Sequence, residues 1–205
     1  MPPTRSQLSL RGSAQLIAEF FEYSIHSILY QRGIYPVEDF QTVRKYGLNL
    51  LVNVDDDVKQ YIKNIIKQIY RWISHDKITK LVLVIINKDD GETVERWQFN
   101  INIEDSAEAT SGGDTQTETD TAAVQKDIQA IIRQITASVT FLPCLNSSDY
   151  TFNVLVYTDS DAPVSKDWVD SDAREIENGE SVRFKSFNTN CHKVDTLVSY
   201  KLDQN

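Results

Sequence analysis

Hydrophobic residues recur at helical spacing in three separate stretches of the chain. Residues 10–30 carry apolar side chains three and four positions apart, behind Ser9 as a helix cap. Residues 55–74 repeat this pattern behind three aspartates, which stabilise a helix N-terminus. Residues 37–46 between them predict one short helical turn. The third helix is expected over residues 123–141, with an inner row formed by Val124, Ile128, Ile131, Ile135 and Val139.

Strand patterns fill most of the remaining chain. Residues 80–87 form a nearly continuous β-branched run, typical of a strand buried on both faces. Residues 93–103 alternate between apolar and polar and follow an Asp-Asp-Gly turn, which predicts a β-hairpin. Three further strands are expected over residues 150–158, 181–187 and 193–202. Helices grouped with hairpin-connected strands indicate an α+β domain rather than a doubly wound parallel sheet.

Two segments lack a regular pattern. Residues 104–122 carry six acidic residues, no basic residue and no large apolar residue, so burial cannot offset the entropy of ordering them. They are expected to form a mobile acidic loop. Residues 159–180 are acidic and irregular, with Trp168 as the only aromatic side chain. Neither flank of the loop completes a core alone, so residues 1–205 are expected to form a single domain.

Composition narrows the functional class. The net charge of −9 disfavours nucleic acid as a partner, and the sequence contains no apolar run long enough for a membrane span. No phosphate-binding glycine motif and no nucleophile elbow is present. Cys144 and Cys191 are far apart, and His26, His75 and His192 are scattered, so these residues indicate structural or surface roles. We therefore expect no catalysis, no metal and no cofactor.

Six strings, in order, resemble the HORMA-domain family, and within it the members that act in the spindle assembly checkpoint. They are residues 10–13, 27–36, 95–99, 133–136, 139–143 and 192–194. The resemblance spans nearly the whole chain. It implies three helices packed on an antiparallel sheet, with a mobile C-terminal safety belt that corresponds here to residues 159–205. In the family the belt has an open and a closed arrangement, and the sequence leaves open which of them this chain adopts.

The resemblance also implies a function: the closed belt entraps short peptides and thereby inhibits anaphase onset. The implied partners are a kinetochore checkpoint coiled-coil protein, the activator of the anaphase-promoting complex, and a HORMA-remodelling ATPase with its adaptor. The implied locations are the nucleus, the kinetochore and the cytoplasm. An adaptor of a translesion polymerase or of the meiotic axis is the alternative.

Two sets of residues are candidate binding sites. An edge strand that accepts a peptide gains main-chain hydrogen bonds. The resemblance implies such an edge, and residues 150–158 could supply it. The peptide-binding candidates are therefore Phe152, Val154, Leu155, Val156 and Tyr157, with Trp168 from the following segment. Family members also pair an open with a closed copy through the third helix, and Arg133 lies on the outer side of this helix. The implied dimer contacts are Arg133, Gln134, Thr140 and Phe141.

Overall fold

The computed structural model describes residues 5–104, 115–145 and 149–202. Three α-helices and eight strands follow one another along this part of the chain. The helices are α1 (Arg5–Gln31), α2 (Asp56–Ile73) and α3 (Thr115–Ala137). The strands are β1 (Phe40–Lys45), β2 (Leu48–Asn53), β3 (Ile78–Asn87), β4 (Thr93–Ile103), β5 (Tyr150–Thr158), β6 (Glu180–Arg183), β7 (Phe187–Asn188) and β8 (His192–Tyr200).

The main sheet is antiparallel and runs in the order β5–β3–β4–β8–β6, with β7 also paired to β8. One face packs against the three helices and forms the principal core. On the other face Val82, Val84 and Leu155 form a second, smaller cluster. The prediction of an α+β domain with three helices on an antiparallel sheet is therefore confirmed, and β3 is buried on both faces as expected.

The second helix forms where the aspartates predict it. The Asp55 side chain accepts hydrogen bonds from the backbone N–H groups of Asp57 and Val58, both at 3.1 Å. These bonds satisfy two of the donors that a helix N-terminus leaves unpaired. The buried row includes Ile62, Ile69 and Trp72, so α2 packs on the sheet with its predicted face.

The first helix begins earlier than predicted, so Ser9 lies within α1 and does not cap it.

The expected single turn over residues 37–46 is also wrong in part. A short 3₁₀ helix at Val37–Asp39 is followed by the hairpin of β1 and β2. Tyr46 and Gly47 form its turn with φ angles of 50° and 69°, the left-handed conformation that two-residue hairpin turns require. Tyr46 is held there because its hydroxyl donates to Glu19 at 2.7 Å.

The third helix differs from its prediction at both ends. It begins at Thr115, so the expected loop over residues 104–122 is wrong for its last part, while residues 105–114 lie outside the described residues. Each residue added to an anchored helix gains a hydrogen bond without a new nucleation cost, which favours this extension. At the other end the α-helix stops at Ala137, and a 3₁₀ turn over Ser138–Thr140 follows. Its tighter winding moves Val139 out of the inner row, so Val139 is 42% exposed.

His26 on α1 makes the stability of the protein depend on pH. Its ring is buried and its Nδ1 accepts a hydrogen bond from the Asn53 backbone N–H at 3.2 Å. Burial lowers the pKa of His26 from 6.5 to about 4. The unfolded chain therefore binds the proton more readily between these values, and the folded state loses stability as the pH falls through this range.

We expect the free energy of unfolding to decrease by roughly 3 kcal/mol between pH 7 and pH 4 through His26 alone. Urea unfolding at a series of pH values measures this slope. His26→Asn keeps an acceptor for the Asn53 N–H but does not titrate, so its profile is expected to be flatter by that amount. Equal slopes in both proteins would show that His26 is not responsible.

Candidate peptide-binding site

The C-terminal strands lie at the sheet edge away from β5. β8 pairs with β4 over its whole length, from Glu95–Tyr200 to Ile103–His192, and β6 closes this side of the sheet. β5 is the opposite edge, and no strand of the described residues pairs with its outer side. The family resemblance implies that the C-terminal strands lie beside residues 93–103 in the closed arrangement and against residues 150–158 in the open one, so the pairing of β8 with β4 matches the closed arrangement.

The segment that connects β5 to β6, residues 159–179, is called here the crossing segment. It starts beside Lys77, whose Nζ contacts Asp161 at 2.7 Å. Trp168 then packs edge-on against Trp72 of α2, with the two ring centroids 5.1 Å apart. The Trp72 indole N–H donates to the carbonyl of Pro163 at 3.0 Å. The first half of the crossing segment is therefore attached on the helix side of the sheet.

The second half of the crossing segment is attached on the other face by Arg96 of β4. Arg96 lies opposite Val84 in the ladder, so it shares the face of the second cluster. Its guanidinium is buried, donates to the carbonyl of Ala173 at 3.1 Å and forms an ion pair with the exposed carboxylate of Glu175 at 3.1 Å. A third bond reaches the hydroxyl of Tyr157 at 3.2 Å. The crossing segment thus wraps around the β5 edge, from the helix side to the opposite face.

Two cavities lie between the β5 edge and the crossing segment. One has a volume of about 870 Å³ and is bounded by α2, by residues 153–155 and by part of the crossing segment. The other has a volume of about 450 Å³ and is bounded by residues 154–158 and 168–173. Both border Val154, Leu155 and Trp168, so they lie along one stretch of the edge. Cavities of this size accommodate side chains of an extended peptide.

One backbone N–H group on the outer edge of β5 is hydrogen-bonded to a side chain of the same strand. The backbone N–H of Val154 donates to the Oδ1 of the neighbouring Asn153 at 2.8 Å. The Tyr61 hydroxyl donates to the same oxygen at 3.3 Å. In an antiparallel ladder alternate residues direct their N–H and C=O groups away from the partner strand, so Phe152 and Val156 share this outward orientation with Val154. An incoming strand would use these groups and would displace the Asn153 side chain.

The side chains predicted to bind a peptide divide into two groups. Phe152, Val154 and Leu155 are buried in the protein's own two clusters, so at these positions the main chain is the part available to a ligand. Val156 and Tyr157 are half-buried and border the smaller cavity, as does Trp168. Sequence reasoning missed Arg96 and Asn153, because neither belongs to an apolar pattern and their partners become neighbours only in the folded chain.

The four residues implied for dimer contacts lie on the surface. Arg133 and Gln134 are exposed on α3, Thr140 is exposed in the following 3₁₀ turn, and Phe141 is 40% exposed. The Gln134 side chain accepts a hydrogen bond from the Lys185 backbone N–H at 2.8 Å. The Phe141 ring lies 6.2 Å from the ring of Tyr200 at the end of β8. This surface therefore joins α3 to the C-terminal strands.

The described residues contain no group of three or more His, Cys, Asp or Glu side chains placed to hold a metal ion. Among the same residues, no helix combines the length and the apolar character needed to cross a membrane.

Comparison with known proteins places this fold and edge site in a family. The family model of the HORMA domain matches residues 13–192. The mitotic spindle checkpoint component mad2 of Schizosaccharomyces pombe is 53% identical over 202 residues, covering 98% of each chain. The mitotic spindle assembly checkpoint protein MAD2A of Homo sapiens is 46% identical over 198 residues, covering 97% of this chain and 95% of the relative. The chain therefore belongs to the HORMA-domain family, and within it to the spindle checkpoint components.

Solved structures agree with this placement. A chain of the structure described as "Crystal Structure of Mitotic Checkpoint Complex" is 52% identical, has a TM-score of 0.85, and covers 93% of this chain and 99% of that chain. The structure of HTP-2 bound to HTP-3 motif-6 has a TM-score of 0.72 but only 16% identity over 92% of this chain and 90% of that chain, so it shows a shared fold alone. The alternative of a polymerase or meiotic-axis adaptor is therefore not favoured.

Proposed function

We propose that this chain is a conformational switch of the spindle assembly checkpoint that entraps a short extended peptide between β5 and the crossing segment. The observation that carries the proposal is the outer edge of β5, which pairs with no strand of the described residues and is enclosed by a segment attached on both faces of the sheet. Such an edge gives a peptide main-chain hydrogen bonds, while the neighbouring cavities receive its side chains. Val156, Tyr157 and Trp168 are the proposed side-chain contacts, and Phe152, Val154 and Leu155 act through the main chain.

The proposed partners follow from the family. They are a kinetochore checkpoint coiled-coil protein and the activator of the anaphase-promoting complex, whose capture inhibits anaphase onset. A HORMA-remodelling ATPase with its adaptor reopens the belt. The presence of a 52% identical chain in a mitotic checkpoint complex supports partners of this class. Action at the kinetochore during mitosis agrees with the checkpoint relatives, and we propose that the protein is also present in the nucleus and the cytoplasm.

We expect Val156→Pro to abolish peptide capture while the sheet remains folded. Proline removes the outward N–H of this residue but no bond to β3, and edge strands tolerate proline at such positions. The probe is a fluorescein-labelled 15-residue peptide selected on the intact chain from a random phage-displayed library. Fluorescence anisotropy is expected to show affinity reduced by about tenfold or more, because the main-chain bond and its neighbours are lost together.

Val156→Ala is the matched control. Alanine removes more side-chain volume than proline but keeps the N–H, so it is expected to retain most of the affinity. If the proline variant binds as tightly as the alanine variant, or if the library yields no binder to the intact chain, capture at the β5 edge is wrong for this protein.

We propose that two copies associate through the surface of Arg133, Gln134, Thr140 and Phe141. Truncation of an arginine at the centre of an interface costs about 2 kcal/mol or more. Arg133→Ala is therefore expected to convert a dimer to a monomer at micromolar concentration without changing peptide affinity. Sedimentation velocity measures the change, with the exposed Lys59→Ala on α2 as the control. An unchanged dimer in Arg133→Ala would exclude this surface.

A further inference from the structure

A chain of hydrogen bonds, buried at Ser13 and His192 and partly exposed at Asp76, joins three distant parts of the sequence. The Ser13 hydroxyl on α1 lies 2.7 Å from the Nδ1 of His192, the first residue of β8. The Nε2 of His192 lies 3.1 Å from the Oδ1 of Asp76, in the turn between α2 and β3. The Thr189 hydroxyl lies 2.6 Å from that of Ser13. Ser13 is 6% exposed and His192 is 1% exposed.

With a neutral His192 imidazole, the donors and acceptors of this network can be assigned in one consistent way. The carboxylate of Asp76 only accepts, so the Nε2 of His192 donates to it and the Nδ1 accepts from the Ser13 hydroxyl. The Ser13 oxygen then accepts from the Thr189 hydroxyl, which also lies 3.1 Å from the His192 carbonyl and donates to one of these two oxygens at a time. The Thr189 oxygen accepts from the His192 backbone N–H at 2.9 Å. Each polar atom of this chain therefore has a partner, which is the condition for burying such groups without a penalty.

These residue types are those of a hydrolytic triad, but their arrangement is different. In a hydrolytic triad the serine approaches Nε2 and the carboxylate approaches Nδ1. Here the two contacts are exchanged, and the serine hydroxyl is buried. The arrangement is therefore suited to holding elements together rather than to nucleophilic attack.

We propose that Ser13, His192 and Asp76 are positioning residues that clasp the start of β8 beside β4 and slow its detachment. β8 is joined laterally only to β4 and to the short β6 and β7. Detachment of β8 must break these hydrogen bonds and leave the Ser13 hydroxyl without its partner, so the clasp adds to the cost of this local opening. We expect the clasp also to lengthen the residence of an entrapped peptide, and this consequence rests on the proposed function.

The turn at Asp76 permits a clean test. Its backbone has φ 51°, a conformation that glycine adopts without strain. Asp76→Gly therefore removes the carboxylate while keeping the turn, whereas Asp76→Asn keeps an acceptor oxygen. Ser13→Ala removes the second contact. His75→Gln is the control, because the Nδ1 of the neighbouring His75 is exposed and bonded only within its own helix turn, to the Arg71 carbonyl at 2.8 Å.

The first readout is amide hydrogen exchange in the peptide-free protein. We expect exchange of the β8 amides to become about tenfold faster in Asp76→Gly and Ser13→Ala, which corresponds to the loss of about one buried hydrogen bond. Asp76→Asn and His75→Gln are expected to stay within about twofold of the parent protein. Unchanged β8 exchange, or equal acceleration throughout α2 and β3, would overturn the clasp.

The second readout is the release rate of the phage-selected 15-residue peptide from the full chain. We expect release to become about tenfold faster in the same two variants and to be restored in Asp76→Asn. Faster β8 exchange without faster release would overturn the link between the clasp and peptide residence. Absence of capture by the parent protein would contradict the proposed function, while the exchange experiment would still decide on the clasp.

Discussion

Replacement of Glu95 by alanine is expected to lower the free energy of unfolding by roughly 3–5 kcal/mol, because it leaves a buried arginine without its counter-charge. Arg32 at the end of α1 donates from Nε to Glu95 at 2.7 Å, and both side chains are almost fully buried. The Trp97 indole N–H donates to the second carboxylate oxygen at 3.1 Å. Burial raises the pKa of Glu95, while the charge and hydrogen bonds of Arg32 act in the opposite direction.

Urea unfolding is measured for Glu95→Ala and for the double variant Arg32→Met with Glu95→Leu. The comparison separates the cost of a buried, unpaired arginine from the loss of the ion pair itself. An apolar pair of similar volume removes the buried charges together, and such replacements are often neutral or stabilising. We therefore expect the double variant to be more stable than the single one. A single variant within about 1 kcal/mol of the parent protein would show that the stranded arginine reaches water, contrary to its burial in the structure.

The regular elements were predictable where local sequence and tertiary packing agree. For α2 the aspartates favour a helix start locally, and the apolar row at positions 58, 62, 65 and 69 provides the face that packs on the sheet. For β4 the alternation over residues 93–103 indicates the strand. The β1–β2 hairpin was not predictable in the same way. Its turn depends on Tyr46 in a left-handed conformation that a tyrosine rarely adopts. That conformation is stabilised by Glu19 on α1, a contact that no local pattern indicates.

The candidate site was predictable in outline only. The family resemblance implies a sheet edge that receives a peptide, and the apolar alternation of Tyr150–Thr158 makes this strand the candidate. The structure places it at a sheet edge where no strand of the described residues pairs with its outer side. Trp168 is the only aromatic residue of the segment that follows this strand, and its contact with a peptide stays a prediction. The attachment of the crossing segment to Arg96 joins residues 77 positions apart through a backbone carbonyl. A carbonyl carries no sequence signal, so this contact could be found only in the folded chain.

Loss of the Arg96 contacts is expected to shorten the residence of an entrapped peptide by about tenfold to a hundredfold. Arg96 makes two contacts with the crossing segment, a hydrogen bond to the carbonyl of Ala173 and an ion pair with the exposed carboxylate of Glu175. The hydrogen bond from the charged guanidinium to the Ala173 carbonyl contributes about 1.5–3 kcal/mol, which corresponds to about tenfold to a hundredfold at 1.4 kcal/mol per factor of ten, while the ion pair with the exposed Glu175 adds little. Because an enclosed peptide leaves only after the crossing segment lifts, the loss is expected mainly in the release rate rather than in the association rate.

Arg96→Met tests this expectation, since methionine fills most of the buried volume without donating a hydrogen bond. The matched control is Lys80→Met on β3, whose Nζ lies over the Tyr157 ring at 4.5 Å and therefore on the same side of the sheet. Stopped-flow competition with unlabelled phage-selected peptide gives the release rate of each variant. If both methionine variants release the peptide at the parent rate, the second attachment of the crossing segment does not limit escape. Contacts on the helix side of the sheet, between Trp168 and Trp72 and from the Trp72 indole to the Pro163 carbonyl, would then be the attachments to test next.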